Sequence, residues 1–452
     1  MSLWKRILQG LVAYSGTAMI VNLSGALQAV FTLRYLAVAE FGALSFVLSI
    51  FSIAAILIDL GTSSMMAAEI AKARGAEDKP RVRVLISVYG RMVLGTGTIL
   101  CLVFFGIARY RQDILWAIMG LHLLLSALNL VPHTLFLSHT RYRRSAAVAV
   151  MRSTSRLALL ATLPWWAGGE RLTGVALTYP LMEVSTLLLS LWMVRPIWRE
   201  LRGLSGGQAN LAALMRRQGV YVILAVPLKQ VSEELPVWLL KALAGDVAVG
   251  LFGAARKAMY MAYAVFGPLE TILLPLVSEL VVQGTERARI VLRQAQKYAF
   301  WVSVIFVLAC IPLAPWLVLF IGGVRYVGTT PVLQWALIHL VAMTFAETQR
   351  PVFYAIGEER WMLLIYAVGI MAYAPLLWAG IRWAGALGAA QAMVGYGVLL
   401  ATIRLVVLRR LSPDLWVSPL QVFAVDAVDR ELLRRVRLRL RHIISARESD
   451  VP

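Results

Sequence analysis

The sequence predicts an all-α polytopic membrane protein with about 12 transmembrane helices in two six-helix lobes. Hydrophobic residues make up 60% of the chain and charged residues 15%, whereas soluble domains carry about 25% charged residues. The mean hydropathy is +0.74. Apolar runs of roughly 20 residues recur along the chain, and that length crosses the ~30 Å hydrocarbon core of a bilayer.

The apolar runs define the predicted spans in chain order. They are 13–33, 41–60, 84–108, 114–138, 145–166, 173–194, 219–240, 247–275, 298–321, 331–355, 361–381 and 384–408. The loops at one side are rich in Lys and Arg, with clusters at 72–83, 141–144, 195–217 and 287–297, whereas the opposite loops hold few. The basic side is cytoplasmic by the positive-inside rule, which places both termini inside.

Twelve spans with both ends inside divide into two halves of six. We expect an N-terminal lobe at 1–194, a cytoplasmic linker at 195–218, a C-terminal lobe at 219–408 and a basic amphipathic tail at 409–452 on the anionic inner leaflet. RYLAVAEFG, Arg34–Gly42, and KALAGDVAVG, Lys241–Gly250, share a pattern at equivalent junctions. Such a parallel repeat predicts a binding site between the lobes.

Two longer stretches resemble a known family. LFGAARKAMYMAYAVFGPLETILLPLVSEL, Leu251–Leu280, and the segment Leu33–Gly75 are similar to signatures of bacterial lipid-linked oligosaccharide flippases, within the multidrug/oligosaccharidyl-lipid/polysaccharide exporter superfamily. The resemblance implies two lobes in a V shape around a central cavity. It also implies an undecaprenyl-pyrophosphate-linked oligosaccharide as the cargo. The seventh helix of that family commonly offers an aspartate, where this chain has Glu233 and Glu234, which leaves the coupling ion open between a proton and sodium.

Ionisable residues inside spans are costly and mark candidate sites. The cationic candidates for a substrate-binding cavity are Arg152, Arg156, Lys229, Arg256, Lys257, Arg91 and Arg34. The candidates for ion coupling are Glu234, Glu233, Asp59 and Glu183, and Glu347 is a further acidic residue at depth. Because basic groups outnumber acidic ones, the pattern favours a water-filled cavity that accepts an anion.

Several of these charges also have structural explanations. Lys229 and Glu233 are four residues apart and can pair along one helix, as Glu347 and Arg350 can at a spacing of three. Arg34, Arg91 and Arg404 can extend to a membrane interface, and His339 can hydrogen-bond in the core.

Three of the span residues lack such a partner in sequence. Arg152 and Arg156 share a helix face without an acidic residue on their own helix, which favours a cavity role. Glu234 lacks the lysine that Glu233 has, so we expect Glu234 to respond to the coupling ion and Glu233 to affect substrate affinity through Lys229.

The function predicted from these features is a flippase in a bacterial cytoplasmic (inner) membrane. Partners would be the lipid-linked oligosaccharide, membrane lipids, and glycosyltransferases and a polysaccharide polymerase, with no nucleic acid, cofactor or metal. Walker, zinc-binding and dinucleotide-binding motifs are missing from the sequence. The alternatives are a multidrug/cation antiporter of the same superfamily and a membrane-embedded polysaccharide polymerase or ligase.

Overall fold

The structure is a computed structural model that describes residues 3–59, 61–201, 220–264, 266–424 and 430. Within those residues the regular elements are helical. The α-helices are α1 (Leu3–Tyr35), α2 (Val38–Asp59), α3 (Thr62–Gly75), α4 (Lys79–Arg111), α5 (Ile114–Ser138), α6 (Tyr142–Ala161), α7 (Leu163–Trp166), α8 (Arg171–Leu201), α9 (Val220–Tyr263), α10 (Gly267–Gln283), α11 (Thr285–Gly322), α12 (Thr330–Glu347), α13 (Arg350–Ala355) and α14 (Arg360–Leu411). Two 3₁₀ turns, Val324–Thr329 and Pro419–Val422, complete the order.

Two of the longest helices are hairpins of two antiparallel helices. In α9 the backbone leaves helical geometry at Gly245, and Arg256 contacts Glu234, so residues equally distant from the break face each other. We call the two arms α9a (220–244) and α9b (246–263). In α14 the break lies at Ala384 and Gly385, and the rings of Tyr373 and Tyr396 stack across it. Its arms are α14a (360–383) and α14b (386–411).

The hairpins reconcile the observed helices with the predicted spans. Among the described residues, 8 helical stretches are long and apolar enough to cross a membrane, and two of these contain the hairpins. Because each hairpin can cross twice, these stretches provide ten crossings. α1 packs against α6, and α6 packs against α8, so these two helices can provide the remaining two of the twelve predicted crossings. The protein is therefore a multi-pass, all-helical membrane protein. The short helix α3 is an addition, because the sequence predicted only a loop after span 2.

The two halves of the chain meet most closely where α2 packs against α9. Tyr326 donates its hydroxyl hydrogen to the Leu36 carbonyl at 3.2 Å, and Arg34 donates to the Phe320 carbonyl at 2.8 Å. Deeper along the same helices, Gln230 donates to the Ser52 hydroxyl at 3.3 Å. The contacts of Tyr326 and Arg34 lie at the end of the bundle that the charge bias assigns to the outer side, and the Gln230–Ser52 contact lies near the middle of both helices.

Two glycines allow the backbones to approach at this contact. A Cβ placed on Gly42 would lie 1.9 Å from the Asp246 carbonyl oxygen, and one on Gly250 would lie 2.0 Å from that of Val38. Gly42 and Gly250 are the residues that the repeated pattern aligns. The repeat therefore forms a reciprocal contact between the two halves, in which only glycine fits.

Two predicted regions fall mainly outside the described residues. The linker is described only through 195–201, and the tail only through 409–424 and 430. The amphipathic helix predicted around 426–447 lies, except for residue 430, outside the described part of the chain.

Candidate functional site

The first cluster of charges lies between the arms of the α9 hairpin. Arg256 on α9b contacts the Glu234 carboxylate on α9a at 2.9 Å and donates to the Glu233 carbonyl at 3.0 Å. Gln230, one turn before Glu234, donates to the same carboxylate at 3.2 Å. Glu234 is 5% exposed, so its charge is buried and compensated. The expectation that Glu234 lacks a basic partner is wrong, because its partner comes from the second arm of the hairpin.

Lys229 and Glu233 occupy the neighbouring face of α9a. Their charged atoms are 3.6 Å apart, which confirms the pair predicted from the spacing of four residues. Both side chains are more than a quarter exposed and line an internal cavity of about 60 Å³. The other polar residues around this cavity are Ser232, Arg256, Tyr260, His339, Glu347, Tyr366, Tyr373 and Tyr396. The cavity lining thus combines two carboxylates, those of Glu233 and Glu347, with the Lys229 ammonium and the Arg256 guanidinium.

Glu347 joins that cavity to a fully buried arginine. Arg350 lies 3.3 Å from the Glu347 carboxylate, which confirms the predicted pair, and Arg404 lies 3.6 Å from it. Arg404 is 0% exposed and donates to the Ala346 carbonyl at 2.6 Å and the Tyr366 hydroxyl at 3.0 Å. The expectation that Arg404 extends to the interface is wrong, because a carboxylate and two oxygen acceptors compensate its charge in the core.

A second cluster lies in the N-terminal half around Glu183. Arg152 donates to the Glu183 carboxylate, and Asn129 and Ser126 donate to it at 2.7 and 3.1 Å. His122 lies 3.9 Å from the same carboxylate and stacks on Phe51. His122, Ser126 and Asn129 recur every three or four residues and so share one face of α5.

Glu183 therefore changes the interpretation of Arg152. The sequence placed Arg152 in the cavity because α6 offers it no acidic residue, whereas α8 supplies Glu183 from alongside. Glu183 is 0% exposed and the Arg152 side chain is 49% exposed. Arg152 is a partly exposed cation whose guanidinium is paired with a buried carboxylate. The expected excess of uncompensated positive charge is smaller than the sequence indicated.

Arg156, one turn further along α6, is different. It is 9% exposed, and its guanidinium lies 3.7 Å above the ring of Tyr179. One Nη donates to Gln28 on α1 at 2.9 Å, and the other Nη has no hydrogen-bond partner among the described residues. The neutral partners of Arg156 orient its guanidinium and leave its positive charge unbalanced.

Lys257 on α9b lies at the contact between the two halves, against a helix of the N-terminal half. Its ammonium is 5.1 Å from the ring centre of Phe41 on α2. The positive charges of Arg156 and Arg256 are near enough to act on this ammonium, and no carboxylate of the described residues pairs with it. Positive charge therefore comes together from both halves of the protein, from Arg156 on α6 and from Lys257 on α9b. Arg256 lies nearby but is paired with Glu234.

The remaining candidates lie apart from these clusters. Arg34 belongs to the contact at the outer end, and the exposed Arg91 donates to the Ser87 carbonyl of its own helix at 3.3 Å. Asp59 accepts hydrogen bonds from the backbone N–H groups of Gly61 and Ser63 at 2.7 and 3.3 Å. That geometry satisfies the first turn of α3, so Asp59 has a capping role.

Sequence reasoning missed the neutral and aromatic residues of the site. Gln28, His122 and Tyr179 complete the N-terminal cluster, and Tyr260 and Tyr366 line the C-terminal cavity. Gln28 and His122 were detectable as polar residues inside apolar spans, since such residues are expensive in a membrane. The tyrosines gave no such signal, because their hydrophobic rings suit a buried helix in any case.

Solved structures identify the class of this fold. The chain is similar to the inward-facing conformation of a multidrug resistance MATE family transporter of the MOP superfamily, with a TM-score of 0.74 and 16% identity over 90% of this chain and 98% of that one. It is also similar to lipid II flippase MurJ in an inward closed conformation, at 0.70 and 11% over 88% and 87%. An outward-facing MATE family transporter gives 0.65 and 15% over 90% and 97%. The fold is that of the two-lobed helical transporters.

The family follows from the sequence match. Residues 7–281 match the family described as "Polysaccharide biosynthesis protein", which covers more than half of the chain. The protein belongs to this family, which confirms the membership that the motifs predicted. No curated protein matches the chain in sequence.

Proposed function

We propose that the protein is a flippase that moves a lipid-linked oligosaccharide from the inner to the outer leaflet of a bacterial cytoplasmic membrane. The observation that carries this proposal is the convergence of Lys257 and Arg156 between the two lobes, without a carboxylate on either. The family description and the similarity to lipid II flippase MurJ support the same class of cargo.

The chemistry of the two cations fits a diphosphate. Arg156 has a buried guanidinium N–H without a partner, and Lys257 can donate three hydrogen bonds from its ammonium. Charge-assisted hydrogen bonds to phosphate are about twice as strong as neutral ones. Arg152, half exposed one turn away from Arg156, can add a contact while it stays paired with Glu183. The sugar and the polyprenyl chain then extend into water and lipid.

The direction of loading follows from the contact between the lobes. The outer ends of α2 and α9 are packed together, so a headgroup enters this state from the opposite, cytoplasmic side. Rocking of the lobes about the central site then opens the outer contact and closes the inner side. In this mechanism both termini are cytoplasmic, and glycosyltransferases and a polymerase act before and after the flippase.

We assign ion coupling to the cavity of the C-terminal lobe. Glu233 faces that cavity beside Lys229, and Glu347 lies across it. A proton or sodium ion that neutralises Glu233 releases Lys229 from its pair and changes the charge balance of the cavity. Glu234 is less suited to this role, because Arg256 and Gln230 already satisfy its carboxylate. The coupling residue we propose is therefore Glu233, and not Glu234 as expected from sequence.

A multidrug/cation antiporter is the second candidate, since MATE family transporters share the fold. A cationic drug would be repelled by Lys257 and Arg156, which favours the anionic cargo. A polymerase or ligase has less support, because the related structures are those of transporters and flippases.

Purified protein in proteoliposomes distinguishes the two classes of transporter. We expect a fluorescent polyprenyl-diphosphate oligosaccharide to become accessible to a quencher on the far side at least tenfold faster than in protein-free vesicles. We expect a fluorescent cationic dye to cross no faster than in the protein-free control. The reverse result would replace the flippase with the antiporter.

A further inference from the structure

An apolar groove runs along the outside of the C-terminal lobe, away from the charged clusters. Its walls come from α11, α12 and α14b, with Phe300, Phe345, Val398 and Leu405 among the lining side chains. Pro419, from the segment that follows α14, lies at one end. The groove encloses about 380 Å³, within the range of roughly 300–1,000 Å³ for pockets that hold small molecules.

The length of the groove matches one leaflet of a membrane. Its lining on α14b extends from Val394 to Leu405, a rise of about 17 Å at 1.5 Å per residue. Half of the ~30 Å hydrocarbon core is about 15 Å. Val398 is 53% exposed at the groove, so the groove opens sideways toward the region that lipid occupies. A single hydrocarbon chain from the inner leaflet fits these dimensions.

An exposed basic residue lies at the inner end of the α14b wall. Arg409 follows Leu405 by one turn on the same face of α14b, and its guanidinium is 5.2 Å from the ring centre of Trp416. Lys297, one turn before Phe300 on α11, is 6% exposed and donates a hydrogen bond to a backbone carbonyl. A lipid whose chain lies in the groove would therefore place its headgroup beside Arg409.

The segment after α14 holds this end of the groove in place. Lys297 donates to the Ala424 carbonyl, and the indole N–H of Trp301 donates to the Val422 carbonyl at 3.0 Å. Phe423 packs edge-on against Phe300. Because these contacts attach residues 419–424 to α11, the groove ends in a fixed rim.

We propose that this groove is a binding site for an anionic phospholipid of the inner leaflet, with one acyl chain along α14b and the phosphate beside Arg409. Basic pockets between membrane helices at the cytoplasmic side bind anionic lipid headgroups in general. The site is separate from the cations between the lobes, so the proposal does not depend on the cargo.

Native mass spectrometry of the purified protein with added phosphatidylglycerol or phosphatidylcholine tests the site. We expect the wild type to retain one phosphatidylglycerol molecule more firmly than phosphatidylcholine. Val398→Trp, which fills the groove, abolishes this retention. The matched control is Val368→Trp, since Val368 lies on α14a outside the groove lining and is similarly exposed, at 47%. Equal retention by Val398→Trp and the wild type, or equal loss in Val368→Trp, would overturn the proposal.

The headgroup is tested by neutralising one arginine at a time. Arg409→Gln lowers the preference for phosphatidylglycerol about fivefold, which corresponds to about 1 kcal/mol for one basic residue near a membrane surface. Arg382→Gln is the control, because Arg382 also lies beside a tryptophan, Trp378, but on α14a near the break of the hairpin, away from Arg409. Unchanged lipid preference in Arg409→Gln would contradict the headgroup assignment.

A third experiment replaces the phospholipid with undecaprenyl phosphate. Weaker retention of this lipid than of phosphatidylglycerol agrees with a groove one leaflet long. Stronger retention would assign the groove to the polyprenyl chain of the cargo and overturn the proposal of a phospholipid.

Discussion

At the scale of single residues, Arg152 is a test of how buried charge is compensated. We predict that Arg152→Gln destabilises the folded protein by about 2–3 kcal/mol, since Glu183 stays buried with only neutral donors nearby. The measurement is thermal unfolding in detergent.

A double variant separates this effect from loss of packing. Arg152→Gln combined with Glu183→Gln removes both charges, and we expect it to recover most of the stability that Arg152→Gln loses. Arg91→Gln is the control, because Arg91 is exposed and hydrogen-bonds only within its own helix among the described residues. Equal losses for the single and double variants would contradict an ion pair at Glu183.

The two adjacent glutamates of α9a differ in their surroundings, and their variants should differ as well. Glu233→Gln abolishes the response of transport to an imposed proton or sodium gradient, because Glu233 faces the cavity beside Lys229. Glu234→Gln leaves the response in place and lowers stability, because it leaves Arg256 without its carboxylate partner. Transport by both variants in proteoliposomes under each gradient measures this. A normal gradient response in Glu233→Gln would place coupling elsewhere.

The sequence predicted residue pairs along a helix but not those between helices. Lys229–Glu233 and Glu347–Arg350 follow from spacings of four and three, which put side chains on one face. Arg256–Glu234 depends on the turn at Gly245, and Arg152–Glu183 on the packing of α6 against α8. Neither arrangement is visible in a local pattern of residues.

At the scale of secondary-structure elements, the contact between α2 and α9b depends on glycine. Gly42→Ala and Gly250→Ala each place a methyl carbon within about 2 Å of a backbone oxygen of the other lobe. We expect both variants to open the outer contact and to increase labelling of a cysteine introduced at Ser49. Ser49 lies inside this contact and accepts a hydrogen bond from Trp238.

Gly95→Ala on α4 is the matched control, because no atom lies within 4 Å of the added carbon. Its labelling should equal that of the parent protein. Unchanged labelling in both Gly42→Ala and Gly250→Ala would show that the contact tolerates the extra carbon.

Hydropathy predicted the existence of the helices better than their ends. Spans 7 and 8 were predicted on either side of 241–246, and the structure places the turn at Gly245, whose φ is 77°. The long helices extend beyond the predicted spans, as α11 does by beginning at Thr285 instead of residue 298. Polar extensions of this kind continue the helix, and a prediction based on apolar content alone does not detect them. The two glycines in contact end the repeated patterns Arg34–Gly42 and Lys241–Gly250, but the repeat by itself did not predict that they touch.

At the scale of the whole molecule, the proposed mechanism requires the contact between the two lobes to open from its outer end down to its middle. Ser52 and Gln230 are in hydrogen-bond contact between the lobes at 3.3 Å. After replacement of the free cysteines Cys101 and Cys310 by serine, we expect Ser52→Cys with Gln230→Cys to form a disulfide that stops transport. Reduction should restore the rate. Full transport by the oxidised protein would mean that this contact does not open during the cycle.

The central claim is that cations from both lobes bind the diphosphate of the cargo. The most direct measurement is the rate at which the Lys257→Gln variant flips a polyprenyl-diphosphate oligosaccharide in proteoliposomes. The control is Lys241→Gln, because Lys241 is paired with Asp246. We expect Lys257→Gln to fold normally and to flip at least tenfold more slowly, because it removes an unbalanced cation from the site, while Lys241→Gln keeps the parental rate. A parental rate in Lys257→Gln, in protein that is folded and inserted, would contradict the claim.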